Sequence, residues 1–235
     1  MKAIGSIALH FTLEQACPLE RHDVRSALLG CLIEAACPGS AAADREISLR
    51  VGPGLDARGG YGGLILCASR PEAYDLLLYA AARSLTTPTV TPWGLLRTVH
   101  ILSEPGRHPF LRRIFLGKIR PAPLRETVSL RSHSPVVAPF DLLGDLRQAQ
   151  DELARLLGET GLRPQEELSP WVFRRITLRR TGNAPETCSV KVELMSSHPY
   201  AAPILDYAIL RGFGADRSLG QGCLDLDRPP RRNDP

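Results

Sequence analysis

The sequence predicts an α+β chain made of two like-ordered halves, and three observations predict it. Each half of the 235 residues alternates strand, helix, strand, strand, helix, strand; a basic stretch without acid separates the halves; and a 43% hydrophobic content with 23% charge is that of an ordinary soluble protein able to bury a core.

The elements follow in order. Residues 3–12 place Ile4, Ile7, Leu9 and Phe11 in a β-like run. Asp23 is a candidate helix cap, and Val24, Ala27, Leu28, Cys31, Leu32 and Ala35 follow at helical spacing until Pro38-Gly39 stops them. Residues 46–51 alternate strictly, glycine-rich turns at 52–54 and 59–63 bracket a hairpin loop, and residues 64–67 form its return strand. A second helix starts after Ser69, with Pro71 in its first turn and Ala73, Leu76, Leu77, Tyr79 and Ala80 along it. Residues 95–102 alternate again. The second half repeats the order: a strand over 127–137, a helix over 141–157, a hairpin from 171–180 and 188–195, a helix capped by Ser196 or Ser197 and running to Leu210, and a last strand at 224–226.

A βαββαβ unit packs two helices on one face of a four-stranded antiparallel sheet. The predicted fold is therefore a tandem of ferredoxin-like (RRM-like) domains, with the uncovered sheet faces free to form a cleft. Residues 1–105 form the N-terminal domain, 106–126 a basic linker, 127–228 the C-terminal domain with a glycine-rich loop, and 229–235 a polar tail expected to be disordered.

Several function classes are excluded or left without support. No stretch has the length or hydropathy to span a membrane, and the alternating start is unlike a signal peptide, so no membrane partner and a cytoplasmic location are expected. The six cysteines form no C-x-x-C pair and no zinc spacing; they are expected to be reduced and mostly buried, with no metal and no cofactor.

Charge is more informative in its distribution than in its net value of +4. Residues 106–125 contain no acid, yet carry Arg107, Arg112, Arg113, Lys118, Arg120 and Arg125, a clustering that suits a phosphate-facing surface. Residues 109–120 are compatible with a short amphipathic helix with Phe110, Leu111, Ile114 and Phe115 inward. Such an arginine-rich helix can contact an RNA hairpin, or it can be a solvated linker.

A second concentration lies at 212–222, where Gly212, Gly214, Gly220 and Gly222 follow a helix and precede the last strand. Glycines allow close backbone approach, and successive amides in such a loop can form an anion nest with Arg211, Arg217 and Ser218 beside it. The loop lacks the context of a dinucleotide fingerprint and the Gly-Lys-Ser/Thr ending of a P-loop. It is equally compatible with a ligand-free helix-to-strand connection.

Residues 210–224, Leu-Arg-Gly-Phe-Gly-Ala-Asp-Arg-Ser-Leu-Gly-Gln-Gly-Cys-Leu, resemble the C-terminal signature of RAMP-superfamily CRISPR proteins, and most closely the precursor-RNA processing endoribonucleases of the Cas-six family. Lys191-Val192-Glu193-Leu194, His198-Pro199 and Ile204-Leu205-Asp206-Tyr207 resemble that family's strand and helix leading into the loop, and residues 130–137 its opening of the second half. The resemblance implies metal-independent cleavage of CRISPR repeat RNA to mature crRNA, by 2′-hydroxyl attack giving a cyclic phosphate. It also implies retention of the product and partnership with other CRISPR effector subunits. The alternative within the superfamily is a non-catalytic crRNA-binding subunit of an effector complex. A ferredoxin-like protein with no nucleic-acid role would leave the basic stretch unexplained.

Such cleavage needs a base, an acid and cations around the phosphorane. The family places a histidine in or just after its first helix; here that position offers His22 at the helix start, with Arg21, Arg25 and Arg45 to stabilise charge. His22 can equally be a solvated helix-start residue. Of the others, His10 and His100 lie on strands, His108 lies in the basic stretch, and His133 and His198 suit structural or surface roles.

Overall fold

The computed structural model describes residues 2–19, 21–39, 47–50, 61–108, 110–134, 136–137, 140–158, 171–180, 187–214 and 223–227. Its first half contains β1 (Ala3–Leu13), α1 (His22–Ala36), β2 (Ile47–Arg50), β3 (Tyr61–Ala68), α2 (Pro71–Thr86), β4 (Thr89–Thr91) and β5 (Gly94–Leu102). The second contains β7 (Leu124–Ser132), β8 (Val136–Val137), α3 (Leu142–Gly158), β9 (Trp171–Arg180), β10 (Thr187–Ser196), α4 (Ala201–Arg211) and β11 (Leu224–Leu226). Between them run β6 (Arg113–Phe115) and a single 3-10 turn, Leu116–Lys118.

Both halves have the predicted topology. The first sheet runs β2-β3-β1-β5-β4, with β6 also on β1. In the second, β11, β7 and β10 are successive neighbours, β8 continues the line of β7 along β10, and β9 takes the other side of β10. Each repeat thus places its fourth, first, third and second strands side by side, the ferredoxin-like order. The two central first-half strands, β1 and β3, are buried over most of their length, and their outer face turns polar and ring-bearing only toward His10, Thr12 and Tyr61.

Helix starts depart from expectation in detail. Asp23 lies inside the first turn of α1 and not at its cap, which is Arg21; no side-chain cap bond forms there, and the Asp23 carboxylate accepts from the Arg21 guanidinium instead. The cap of α2 is Arg70, and that of α4 is Tyr200 in place of Ser196 or Ser197. Ser196 Oγ accepts from His198 N, and buried His198 accepts at Nδ1 from Tyr200 N, so the two organise the turn before the helix.

One core cluster joins α1 and α2 to Ile7, Leu9, Phe11, Leu64 and Leu66. The other joins α3 and α4 to sheet residues of the second half and also to Ile4, Ala8, Ile65 and Cys67 of the first. The second half therefore sits on part of the first sheet, and that face is only partly free. Helix α4 shows why: Ile204, Leu205, Tyr207, Ala208, Ile209 and Leu210 are all buried, so it has almost no solvent side. A helix apolar all round must be enclosed, here between two sheets.

The linker is the main correction to the predicted architecture. No α-helix forms among the described residues of the basic stretch; residues 113–115 pair with Ala3–Gly5 of β1 instead. The sequence explains this, since Pro109 and Pro121 confine the segment and β1 offers an open edge beyond the end of β5. Ser6 locks it: its N–H donates to Arg112 O at 2.9 Å and its hydroxyl accepts from Arg112 N at 2.8 Å. At Gly5 a β-carbon would lie 2.7 Å from Arg112 O, so only glycine allows this approach.

Candidate nucleic-acid interface

On the second sheet, Leu130, Val190, Val192 and Leu194 point into the core, so the alternate residues line the opposite face. Cross-strand register sets Lys191 between Arg131 and Thr177, Arg179 beside Ser189, and Arg175 beside Glu193. These residues line an open groove of about 370 Å³. Like charges directly opposite, as at Arg131 and Lys191, oppose folding. Lys191 finds relief from Asp227 at 2.8 Å, and it holds that carboxyl below its ordinary range. Arg131, Arg175 and Arg179 enter none of the ion pairs among the described residues. The arrangement is suited to a polyanion.

The first sheet's outer face changes character along its length. One row across β3, β1 and β5 is Ile65, Ala8 and Leu102, packed against the second half; the next is Gly63, His10 and His100; the last is Tyr61, Thr12 and Arg97. The His10 ring stacks on Tyr61 at 6.1 Å between centroids and lies 6.3 Å from His100. Burial, and then the neighbouring His100, hold the His10 imidazole below its ordinary pKa. His108 is lowered by burial and then by His10. Its ring meets Phe110 at 5.6 Å, and Phe110 meets His133 edge-on at 4.9 Å. This line of rings leads from the first sheet toward the second.

The residues singled out in the sequence separate into three groups. Arg112, Arg113 and Arg211 turn inward. Arg112 bridges Asp206 of α4 at 2.8 Å and buried Asp225 of β11, tying the linker to the second half. Arg113 donates to Tyr74 Oη and Ser103 O. Arg211, with 5% of its side chain exposed, is held by Gln148, Asp145 and Glu152 of α3. These three arginines hold the fold together through partners within the chain. Arg107, Lys118 and Arg120 are exposed, though Arg107 pairs with Glu104 and Arg120 donates to the Ile119 carbonyl.

At the start of α1, Arg21 is engaged with Asp23, and buried Arg25 donates to the Leu19 carbonyl. Arg25 therefore braces the approach to the helix. His22 is the first residue of α1, its side chain outside the described set; Arg45 lies outside the described residues. In the glycine loop, Gly212 and Gly214 take the left-handed φ that glycine favours, +88° and +79°. Gly212 ends α4, and the Gly214 amide donates to Asp145 Oδ2 at 2.9 Å, so that amide already has its anion. Arg217, Ser218, Gly220 and Gly222 lie outside the described residues.

The cations Arg131, Arg175, Arg179 and Lys191 were missed in the sequence. A signal was there: in Trp171–Arg180 the run Arg175, Thr177, Arg179 has period two, which puts all three on one strand face. Among the described residues no group of three or more His, Cys, Asp or Glu is placed to hold a metal ion. No described helix is long and apolar enough to cross a membrane.

The class so defined is a two-domain ferredoxin-like protein whose exposed sheet faces carry cations on one side and rings on the other. No protein-family model and no curated protein matches the chain. Solved structures do share its fold. A Cas6 product complex superposes with a TM-score of 0.64 at 17% identity, covering 96% of this chain and all of the other. Thermus thermophilus Cas6 gives 0.61 at 15% identity, over 96% and 99% of the two chains. A RAMP protein described as binding different RNA substrates gives 0.51 at 13%, over 95% and 100%. At these identities the likeness establishes the shared fold.

Proposed function

We propose that this chain binds CRISPR repeat RNA and cleaves it, without a metal, to mature crRNA. The observation that carries the binding is the groove of Arg131, Arg175, Arg179 and Lys191 on the second sheet, in a fold shared with Cas6 and RAMP proteins. A cluster of guanidinium groups that outnumbers the one carboxylate lining the groove, Glu193, neutralises successive phosphates and gives salt-dependent affinity. In the cleavage step the ribose 2′-hydroxyl loses its proton and attacks the adjacent phosphorus, and the 5′-oxygen leaves with a proton. The products are a cyclic phosphate and a 5′-hydroxyl end. His22 is the residue we assign to proton transfer, at the start of α1. Other CRISPR effector subunits are the expected protein partners.

A second reading, a crRNA-holding subunit without cleavage, is favoured by one observation. Arg25 is turned inward, so one of the three arginines expected to assist His22 is taken up by the fold, while Arg21 meets Asp23 only in an exposed pair. Incubation of the protein with its repeat RNA in excess chelator decides. A cyclic-phosphate product that His22→Ala abolishes supports the enzyme and its base. Tight binding without product establishes the subunit reading. Cleavage undiminished in His22→Ala moves the chemistry elsewhere.

A further inference from the structure

The exposed end of the first sheet has no role in the reading above, and its composition is not that of a core. We propose that Tyr61, His10 and His100 form a stacking platform for unpaired RNA bases, with Arg97 beside it for the backbone. This rests on the chain being an RNA-binding protein and adds a second contact surface to the cationic groove.

Three observations lead there. First, the face changes in the same direction along three adjacent strands: the aliphatic row Ile65, Ala8 and Leu102 gives way to Gly63, His10 and His100, then to Tyr61, Thr12 and Arg97. Second, the rings are presented to solvent. Tyr61 is 48% exposed and His100 is exposed, while half-buried His10 lies between them on β1, its ring against Tyr61. Third, the rings are spaced for stacking. The His10 and Tyr61 planes are 26° apart, nearly parallel, whereas His10 and His100 are tilted by 50°.

The chemistry favours nucleobases. Flat rings on the two central strands of a βαββαβ sheet accept bases face to face, with little dependence on sequence because every base has a π-face. The lowered imidazole of His10 keeps that ring neutral near pH 7, so it stacks without a charge to solvate. Charge complementarity comes from Arg97 in the same row as Tyr61, and it enters none of the ion pairs among the described residues. The contacts from His108 through Phe110 to His133 lead toward the groove, so one strand can reach both surfaces.

The test uses the full chain and two probes: a twelve-nucleotide oligoadenylate RNA carrying one 2-aminopurine, and a blunt RNA hairpin closed by a stable tetraloop. Wild type should bind both and quench the 2-aminopurine. Tyr61→Leu keeps apolar bulk without a ring; it should weaken the oligoadenylate roughly five- to a hundredfold, the range of a lost base–aromatic stack, and abolish quenching. Hairpin affinity and thermal midpoint should stay unchanged. Tyr61→Phe should restore both affinity and quenching. The platform is overturned if Tyr61→Leu binds oligoadenylate like wild type, or if it weakens both probes equally. A wild type that binds neither probe overturns the RNA-binding reading itself, and the platform with it.

Discussion

The two outer sheet faces began from the same topology and differ in what covers them. On the first sheet, β6 and α4 occupy one end and leave a short exposed strip of Tyr61, His10, His100 and Arg97. On the second, the face of β7, β10 and β9 is open and lined by Arg131, Lys191, Arg175 and Arg179. The duplicated fold thus does not duplicate a site. One face is consumed in joining the halves, and what remains of it is aromatic; the other is spared and is cationic.

The join itself can be broken. Arg112 is the only described side chain that forms ion pairs to both α4 and β11, and its carboxylate partner Asp225 is buried. Arg112→Ala removes the guanidinium facing that buried carboxylate, which keeps the Leu226 amide, a loss of about 3 kcal/mol. For a chain this size the melting midpoint should fall by roughly 6–12 °C. If calorimetry shows an unchanged midpoint, the linker does not fasten the halves and the partial covering of the first sheet is incidental.

The cationic face should answer to RNA and not to unfolding. Arg131, Arg175 and Arg179 changed together to alanine should cost roughly a hundredfold in RNA affinity, about 1 kcal/mol each, and lower the salt dependence by about two to three phosphates. Stability should change little, because the like charge facing Lys191 and the opposite charge facing Glu193 are removed together. The exposed linker set, Arg107, Lys118 and Arg120 changed to alanine, should lose much less. Titrations at several salt concentrations compare the two, and equal losses would erase the distinction between groove and linker.

A smaller effect sharpens how the linker reaches the first sheet. Gly5→Ala places a methyl group 2.7 Å from a backbone carbonyl that cannot swing away and close to the Tyr74 ring. Overpacking of this kind costs about 1–3 kcal/mol. Denaturant unfolding should register it, and Gly30→Ala, where a β-carbon meets nothing within 4 Å, serves as the control.

The sequence carried more of the fold than of the site. Strand and helix order followed from period and from turn residues, so β1 through β11 match it apart from the short β4 and β6 and the division of the 127–137 strand into β7 and β8. What periodicity could not supply was the partner of each charged side chain. Arg112 and Arg211 look like surface cations in a basic stretch and a loop, but Asp225 and Asp145, distant in sequence, draw them inward. The linker carried an amphipathic pattern, yet the free edge of β1 claimed it as a strand. Conversely, Arg175 and Arg179 sat in a strand whose alternation assigned them to one face, and only the placement of β10 and β7 beside it made that face a groove.

The aromatic strip offers the subtlest test, because its histidines titrate. The groups facing His10 are His100 from β5, Tyr61 from β3 and His108 from the linker, with no carboxylate among them. Both His10 and His108 have pKa values below the ordinary 6.5 in the folded protein. The unfolded chain therefore takes up protons first as pH falls. The stability this contributes is fully present above about pH 6.5 and is lost as pH drops through the folded values. Unfolding midpoints measured from pH 8 to pH 5.5 should decline on the acid side, and His10→Gln should flatten part of that decline without altering the midpoint at pH 8. The cationic groove contains no histidine, so the same substitution should leave RNA-hairpin affinity unchanged over that range. A His10→Gln protein with the full acid decline would mean that the ring is as well solvated when folded as when unfolded, and the two faces would then differ in charge alone.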